Sequence, residues 1–177
     1  MSPARFPAGA MPDNGAMRWA VLDSPIGELS VGVDDVGICG VHFGPVDGAS
    51  DASRVDTGPL AHALGELRDY FAGELTGFTG TLSVRRGSEF ERAVWAELSL
   101  IPYGEMRTYG EIARAVGDPG AARAVGTACN RNPIPVIVPC HRVVGAGGKL
   151  VGFGGGLPRK RYLLELEAGV ALRRAWA

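Results

Sequence analysis

Residues 108–145 read TYGEIARAVGDPGAARAVGTACNRNPIPVIVPCHRVVG. Two short amphipathic stretches, TYGEIARAVG and AARAVGTACN, flank a tight Asp118-Pro119-Gly120 turn. Helices joined this way form a helix-turn-helix, and Thr108 is placed to cap the first of them. Two packed core helices give the same pattern, so this stretch alone does not decide on DNA binding. The apolar run that follows, punctuated by Pro133, Pro135 and Pro139, reads as extended chain. It sets Cys140 directly between a proline and His141.

A buried cysteine is among the commonest core residues. A thiol beside an imidazole is also a nucleophile beside its base. Pro139 suits the first position of a helical turn, where backbone N–H groups favour negative charge on Cys140. Neighbours in a strand point to opposite faces, so His141 reaches Cys140 only if the chain turns there or through a water. A third group should orient the histidine. Glu165 and Glu167, in the amphipathic helix read from LPRKRYLLELE, are both candidates.

Upstream, Ser88 and Glu91 form a capping box for a helix over EFERAVWAELSLI. Phe90, Val94, Trp95 and Leu98 share one face of it, and Pro102 and Gly104 end it. Downstream, GAGGKLVGFGGG lets backbone approach a ligand closely but lacks the phosphate-loop pattern. Arg159, Lys160 and Arg161 stand near the start of the closing helix. The first half differs. MRWAVLDSPIGELSVGVDDVGICGVHFG alternates like two or three short antiparallel strands, DGASDASRVDTG is a polar loop, PLAHALGELRDYFAGEL is helical and FTGTLSVRRG is a strand. The chain is therefore α/β (α+β): a small sheet with a helix, then a mostly helical lobe.

Residues 1–86 carry six arginines and no lysine against eleven acids, a net −5. Residues 87–177 carry twelve bases against eight acids, a net +4, consistent with the overall −1. The basic half suggests an anionic partner such as nucleic acid. Cys39, Cys129 and Cys140 are too few and too widely spaced for a disulfide framework, and with His42, His62 and His141 they form no zinc pattern. Residues 1–17 read as a flexible tail without the apolar core of a signal peptide. Residues 18–86 and 87–177 are then the two lobes, and a cytoplasmic location is expected.

The stretch NPIPVIVPCHRVVGAGGKLVGFGGGLPRKRYLLELE closely resembles the active-site region of the O6-alkylguanine-DNA alkyltransferases, the methylated-DNA–protein-cysteine methyltransferases. The PCHR core is very specific to them, and the likeness runs strongly over residues 88–167. LDSPIGELSV and YFAGEL extend it less diagnostically. The resemblance implies a ribonuclease-H-like first lobe and a monomer acting on double-stranded DNA without a cofactor, a metal or a membrane. It implies transfer of an alkyl group from O6 of guanine, more weakly O4 of thymine, to a cysteine, once per molecule.

Carried over by position, Cys140 is the acceptor. His141 is the base, acting through a water, and Glu167 holds its other nitrogen. Tyr109 contacts the flipped guanine and protonates it as it leaves. Arg123 replaces the flipped base in the stack. Ala122 and Gly126 allow close approach to the minor groove, with Thr108 also on the DNA side. Asn132 is a hinge. The carbonyls of Cys140 and Val143 and the N–H of Gly154 read guanine, and Phe153 covers the alkyl group. Several relatives carry Tyr where this chain has Phe153, and the zinc ligands of some first lobes have no counterpart. Cys129 is expected to be structural. Two other readings compete: a cysteine hydrolase, which would turn over, and a non-catalytic binder of alkylated DNA, for which Cys140 is unneeded.

Overall fold

A computed structural model describes residues 17–177, so the tail expected over residues 1–17 lies, but for Met17, outside the described residues. The chain divides into two compact units at Arg86/Gly87. In the first, β1 (Arg18–Leu22), β2 (Leu29–Val33) and β3 (Ile38–Phe43) form the antiparallel meander that their alternation predicts. Gly32 and Gly40 are fixed by packing: a Cβ at either would fall within 2.8 Å of the Trp19 ring, which lies across them. Helix α1 (Gly58–Phe71) buries Leu60, Leu64, Leu67 and Tyr70 and packs on this sheet. Burying each such leucine contributes about 1.5–3 kcal/mol.

Two expectations in this unit are corrected. The polar loop contains β4 (Ser50–Asp51), which pairs parallel to β1 and completes the order β3-β2-β1-β4. The strand expected over FTGTLSVRRG is a single bridge, Ile38 to Leu82. The amides before the bridge are taken elsewhere: the Glu66 carboxylate accepts from the N–H groups of Thr79 and Gly80. At the bridge Ile38 N–H bonds Thr81 O and Ser83 N–H bonds Ile38 O, while the Ser83 hydroxyl donates to Asp34 Oδ2 at 2.6 Å.

The second unit begins at α2 (Glu89–Leu98), with the Ser88/Glu91 capping box in place and Val94, Trp95 and Leu98 buried. The helix stops before Pro102, since a residue preceding proline avoids the helical region. Ile101 N–H bonds Leu98 in a tighter turn instead. Thr108 caps α3 (Tyr109–Ala115) in a second capping box, with Glu111. Gly117 takes φ +86°, Asp118 N–H returns to Ala113, and α4 (Ala122–Asn130) follows. Helices α3 and α4 pack together as the expected helix-turn-helix. A parallel pair, β5 (Arg107–Thr108) and β6 (Val143–Val144), was not legible in the sequence. It brings the start of α3 beside the segment that follows Cys140. Helix α5 (Leu157–Ala175) closes the chain and runs well beyond LPRKRYLLELE.

Candidate active site

The run from Pro133 to Pro139 is not extended, contrary to its apolar, proline-rich reading. Asn132 folds it. The side-chain oxygen of Asn132 accepts from Ile134 N–H at 2.9 Å, and its amide donates to Val138 O at 2.8 Å. Val138 N–H closes the turn on Ile134 O. This leaves buried Val136 at φ 71°, a conformation unfavourable for a β-branched residue and held by the bonds around it. Cys140–Arg142 then form one 3-10 turn, with Pro139 preceding the turn rather than opening it. The N–H of Cys140 bonds Val138 O.

Cys140 is buried, and burial pushes its thiol up to about 11. A hydrogen bond from the Asn132 side chain and the charge of Lys160 oppose that rise. Proton removal therefore needs a base. His141, fully buried, has its Nε2 2.8 Å from Glu167 Oε2. Burial depresses the imidazole pKa, and the Glu167 bond offsets this only in part. The neutral ring donates Nε2–H to the carboxylate, which leaves Nδ1 as its lone-pair nitrogen. That atom is buried and has no protein hydrogen-bond partner among the described residues. Glu167 is the third group that the sequence asks for, whereas Glu165 is exposed. Burial works to raise the Glu167 pKa, yet its bonds to His141 and Arg142 hold the carboxyl far below the usual range.

Arg142 is the neighbour whose role sequence reasoning missed. Its Nε and Nη2 grip Glu167 at 2.7 and 2.9 Å, and Nη1 donates to Ile101 O at 2.8 Å. The guanidinium lies 5.5 Å from the centre of the Tyr103 ring. A planar fork suits this bidentate grip, and it fixes the carboxylate that orients His141.

Tyr109 opens α3 and donates its hydroxyl to Val151 O at 2.8 Å. Burial pushes its pKa up to about 12, with Cys129 and Cys140 adding to the rise, so the proton stays on the phenol. Lys160 is 1% exposed and bonds Val143 O at 2.6 Å and Val151 O and Gly152 O at 3.2 Å each. One lone pair of the Val143 carbonyl is thus occupied. Phe153 and Gly154 follow on the same loop, where Gly152 takes φ +54°. Nothing in its sequence context separates Lys160 from Arg159 and Arg161. Helix phase is the one available signal, since Lys160, Leu163, Glu167 and Val170 form the buried stripe of α5.

On α4, Arg123 is exposed and Ala122 and Gly126 are half-buried. A Cβ at Gly126 would rest 3.7 Å from the Tyr109 ring, an ordinary contact. Thr108 spends its hydroxyl on the α3 cap, accepting from Glu111 N–H. Cys129 is buried, and burial pushes it up to about 12. No group of three or more His, Cys, Asp or Glu among the described residues is placed to hold a metal.

Two family models match this chain. The DNA-binding domain of 6-O-methylguanine DNA methyltransferase matches residues 89–169, and its ribonuclease-like domain matches residues 17–84. Together they span most of the sequence. The chain belongs to the methylated-DNA–protein-cysteine methyltransferase family. The Mycobacterium leprae methylated-DNA–protein-cysteine methyltransferase is 53% identical over 150 residues, covering 82% of this chain and 89% of that protein. The Methanosarcina acetivorans protein of the same name is 47% identical over 156 residues, covering 85% and 98%. Among solved structures, Mycobacterium tuberculosis OGT in complex with DNA has a TM-score of 0.77 at 47% identity, covering 86% of this chain and 94% of that one. The methyltransferase family reads as direct-reversal repair: an alkyl group moves from O6-alkylguanine to a cysteine of the protein itself, which is consumed. Its two domains are the ribonuclease-like sheet with a helix and the helical lobe with the helix-turn-helix.

Proposed function

We propose that Cys140 is the cysteine alkylated in this direct-reversal reaction and that α3 and α4 present double-stranded DNA to it. The observation that carries the assignment is the buried series of Cys140, His141, Glu167 and Arg142, with His141 neutral and Nδ1 its basic nitrogen. Neither Cys39 nor Cys129 has a histidine bonded to a carboxylate as a sequence neighbour.

His141 takes the thiol proton through a water, and Glu167 steadies the imidazolium that forms. The sulfur attacks the alkyl carbon in line, and the C–O6 bond breaks with its electron pair left on the guanine. Tyr109 passes a proton to that leaving base, exchanging its bond to Val151 O for one to guanine, and the proton held by His141 returns through water to restore the phenol and the neutral imidazole. The product is a thioether, and each molecule serves once. Arg123 fills the space vacated by the flipped base. Ala122, Gly126 and Thr108 line the approach to the minor groove. The carbonyls of Cys140 and Val143 and the Gly154 N–H read the base, Phe153 covers the alkyl group, and Asn132 couples α4 to the acceptor turn. O4-alkylthymine is a weaker substrate. The protein works as a cytoplasmic monomer. No helix among the described residues is long and apolar enough to cross a membrane.

Incubation with excess duplex containing O6-methylguanine should consume one lesion per protein and stop. The Cys140→Ala variant should consume none while still binding the duplex. Continued turnover by the native protein points to a hydrolase, and normal transfer by the variant refutes the assignment.

A further inference from the structure

We propose that Lys160 is the counter-charge of the Cys140 thiolate and a positioning residue for the reaction, held beside the acceptor by the carbonyls that shape the site. The inference rests on Cys140 being the acceptor. The buried charged side chains of this unit are Arg142, Lys160 and Glu167. Arg142 and Glu167 neutralise each other in a two-bond ion pair. Lys160 has no carboxylate partner among the described residues: its three N–H donors go to neutral carbonyls of Val143, Val151 and Gly152.

A buried ammonium without an anion is costly. The remaining titratable groups facing it are Cys140, Cys129 and Tyr109. Burial raises all three, Cys140 to about 11 and Cys129 and Tyr109 to about 12, so Cys140 is the first of them to ionise, while burial lowers the pKa of Lys160 itself. His141 is neutral. With Lys160 protonated, one positive charge is left in excess while Cys140 is a thiol. Loss of the Cys140 proton to solvent by way of His141 brings the set to neutrality. The position of the ammonium suits this. Val143 O is the carbonyl at the end of the Cys140–Arg142 turn, and Val143 N–H bonds Cys140 O. The same ammonium reaches Val151 O, which also receives the Tyr109 hydroxyl. Lys160 thereby ties the thiol's turn, the glycine-rich loop and the proton donor to one point of α5. Its charge lowers the Cys140 pKa against the rise that burial imposes.

The test reads the ionisation of Cys140 directly. Native protein, Lys160→Met and Lys160→Arg are labelled with iodoacetamide across a pH series. The thiolate sulfur bonds the methylene carbon and iodide leaves. Label is then quantified on the tryptic peptide Asn132–Arg142, which contains no other cysteine. Lys160→Met should move the labelling midpoint upward by about one pH unit, so that labelling below both midpoints slows about tenfold. Lys160→Arg, which keeps the charge, should stay near the native midpoint. A Met variant that melts cooperatively and labels with the native midpoint overturns the proposal. If the Met variant does not fold, Lys160→Arg decides, and an upward shift of about one unit in it also overturns the proposal. Methyl transfer from O6-methylguanine DNA to a different cysteine would sink the acceptor assignment while leaving the effect of Lys160 on Cys140 measurable.

Discussion

Glu167 joins two positive-side partners at one buried carboxylate, with His141 on Oε2 and Arg142 on both oxygens. Removing its charge strands the Arg142 guanidinium in the interior. Glu167→Gln should therefore cost about 3–5 kcal/mol of stability, measured as a shift in the urea midpoint. It should also slow alkyl transfer, because His141 loses the anion that supports its protonated form. A variant as stable as the native protein would mean the pair is not buried as described. The pH dependence follows from the same residues. His141 and Glu167 both have pKa values depressed on folding. Each contributes stability that is complete above its unfolded value and lost as pH falls through the folded one. Stability should hold steady from neutral pH down to the ordinary imidazole range, fall below it, and fall more steeply below the ordinary carboxylate range, where the unfolded chain binds a proton that buried Glu167 does not. Urea midpoints measured across that range check the sign, and stability that rises on acidification contradicts it.

Elements built on local rules were legible in the sequence. The capping box at Ser88/Glu91 and the cap at Thr108 rest on a few consecutive residues each, and the structure adds Glu111 as the partner of Thr108. The meander needs only alternation and glycine. What failed depended on distant partners. The segment after α1 makes a single bridge instead of a strand because Glu66, on α1, takes the amides of Thr79 and Gly80. The turn at Val136 was misread as extended because Asn132 folds it back. Strands β5 and β6 have two residues each, too few for any periodicity. The same division holds within the site: the Pro-Cys-His-Arg run was visible, while the duties of Arg142 and Lys160 were not. Helix α4 carries its own prediction. Arg123→Ala should slow transfer from duplex DNA at least about tenfold, the share expected of a wedge worth a few kcal/mol. Reaction with free O6-benzylguanine should be nearly unchanged. Equal losses on the two substrates would argue against a role in base flipping.

The whole molecule separates charge by half, net −5 over residues 1–86 and net +4 over residues 87–177. The basic half is the one matched by the DNA-binding family model. The second unit buries Asn132, His141, Arg142, Lys160 and Glu167 together with Cys140. Burying that many polar groups is tolerated because nearly all their donors and acceptors are paired, and the exception is His141 Nδ1. A fold built only for binding would gain nothing from that exception. The most direct measurement is peptide mass spectrometry after one incubation with O6-methylguanine duplex. Trypsin separates Cys140, in Asn132–Arg142, from Cys129, in Ala124–Arg131. The account predicts one added methyl group, on the Cys140 peptide, in each molecule that has reacted. A methyl group on Cys129 or Cys39, or lesion loss with no methyl on the protein, would contradict it.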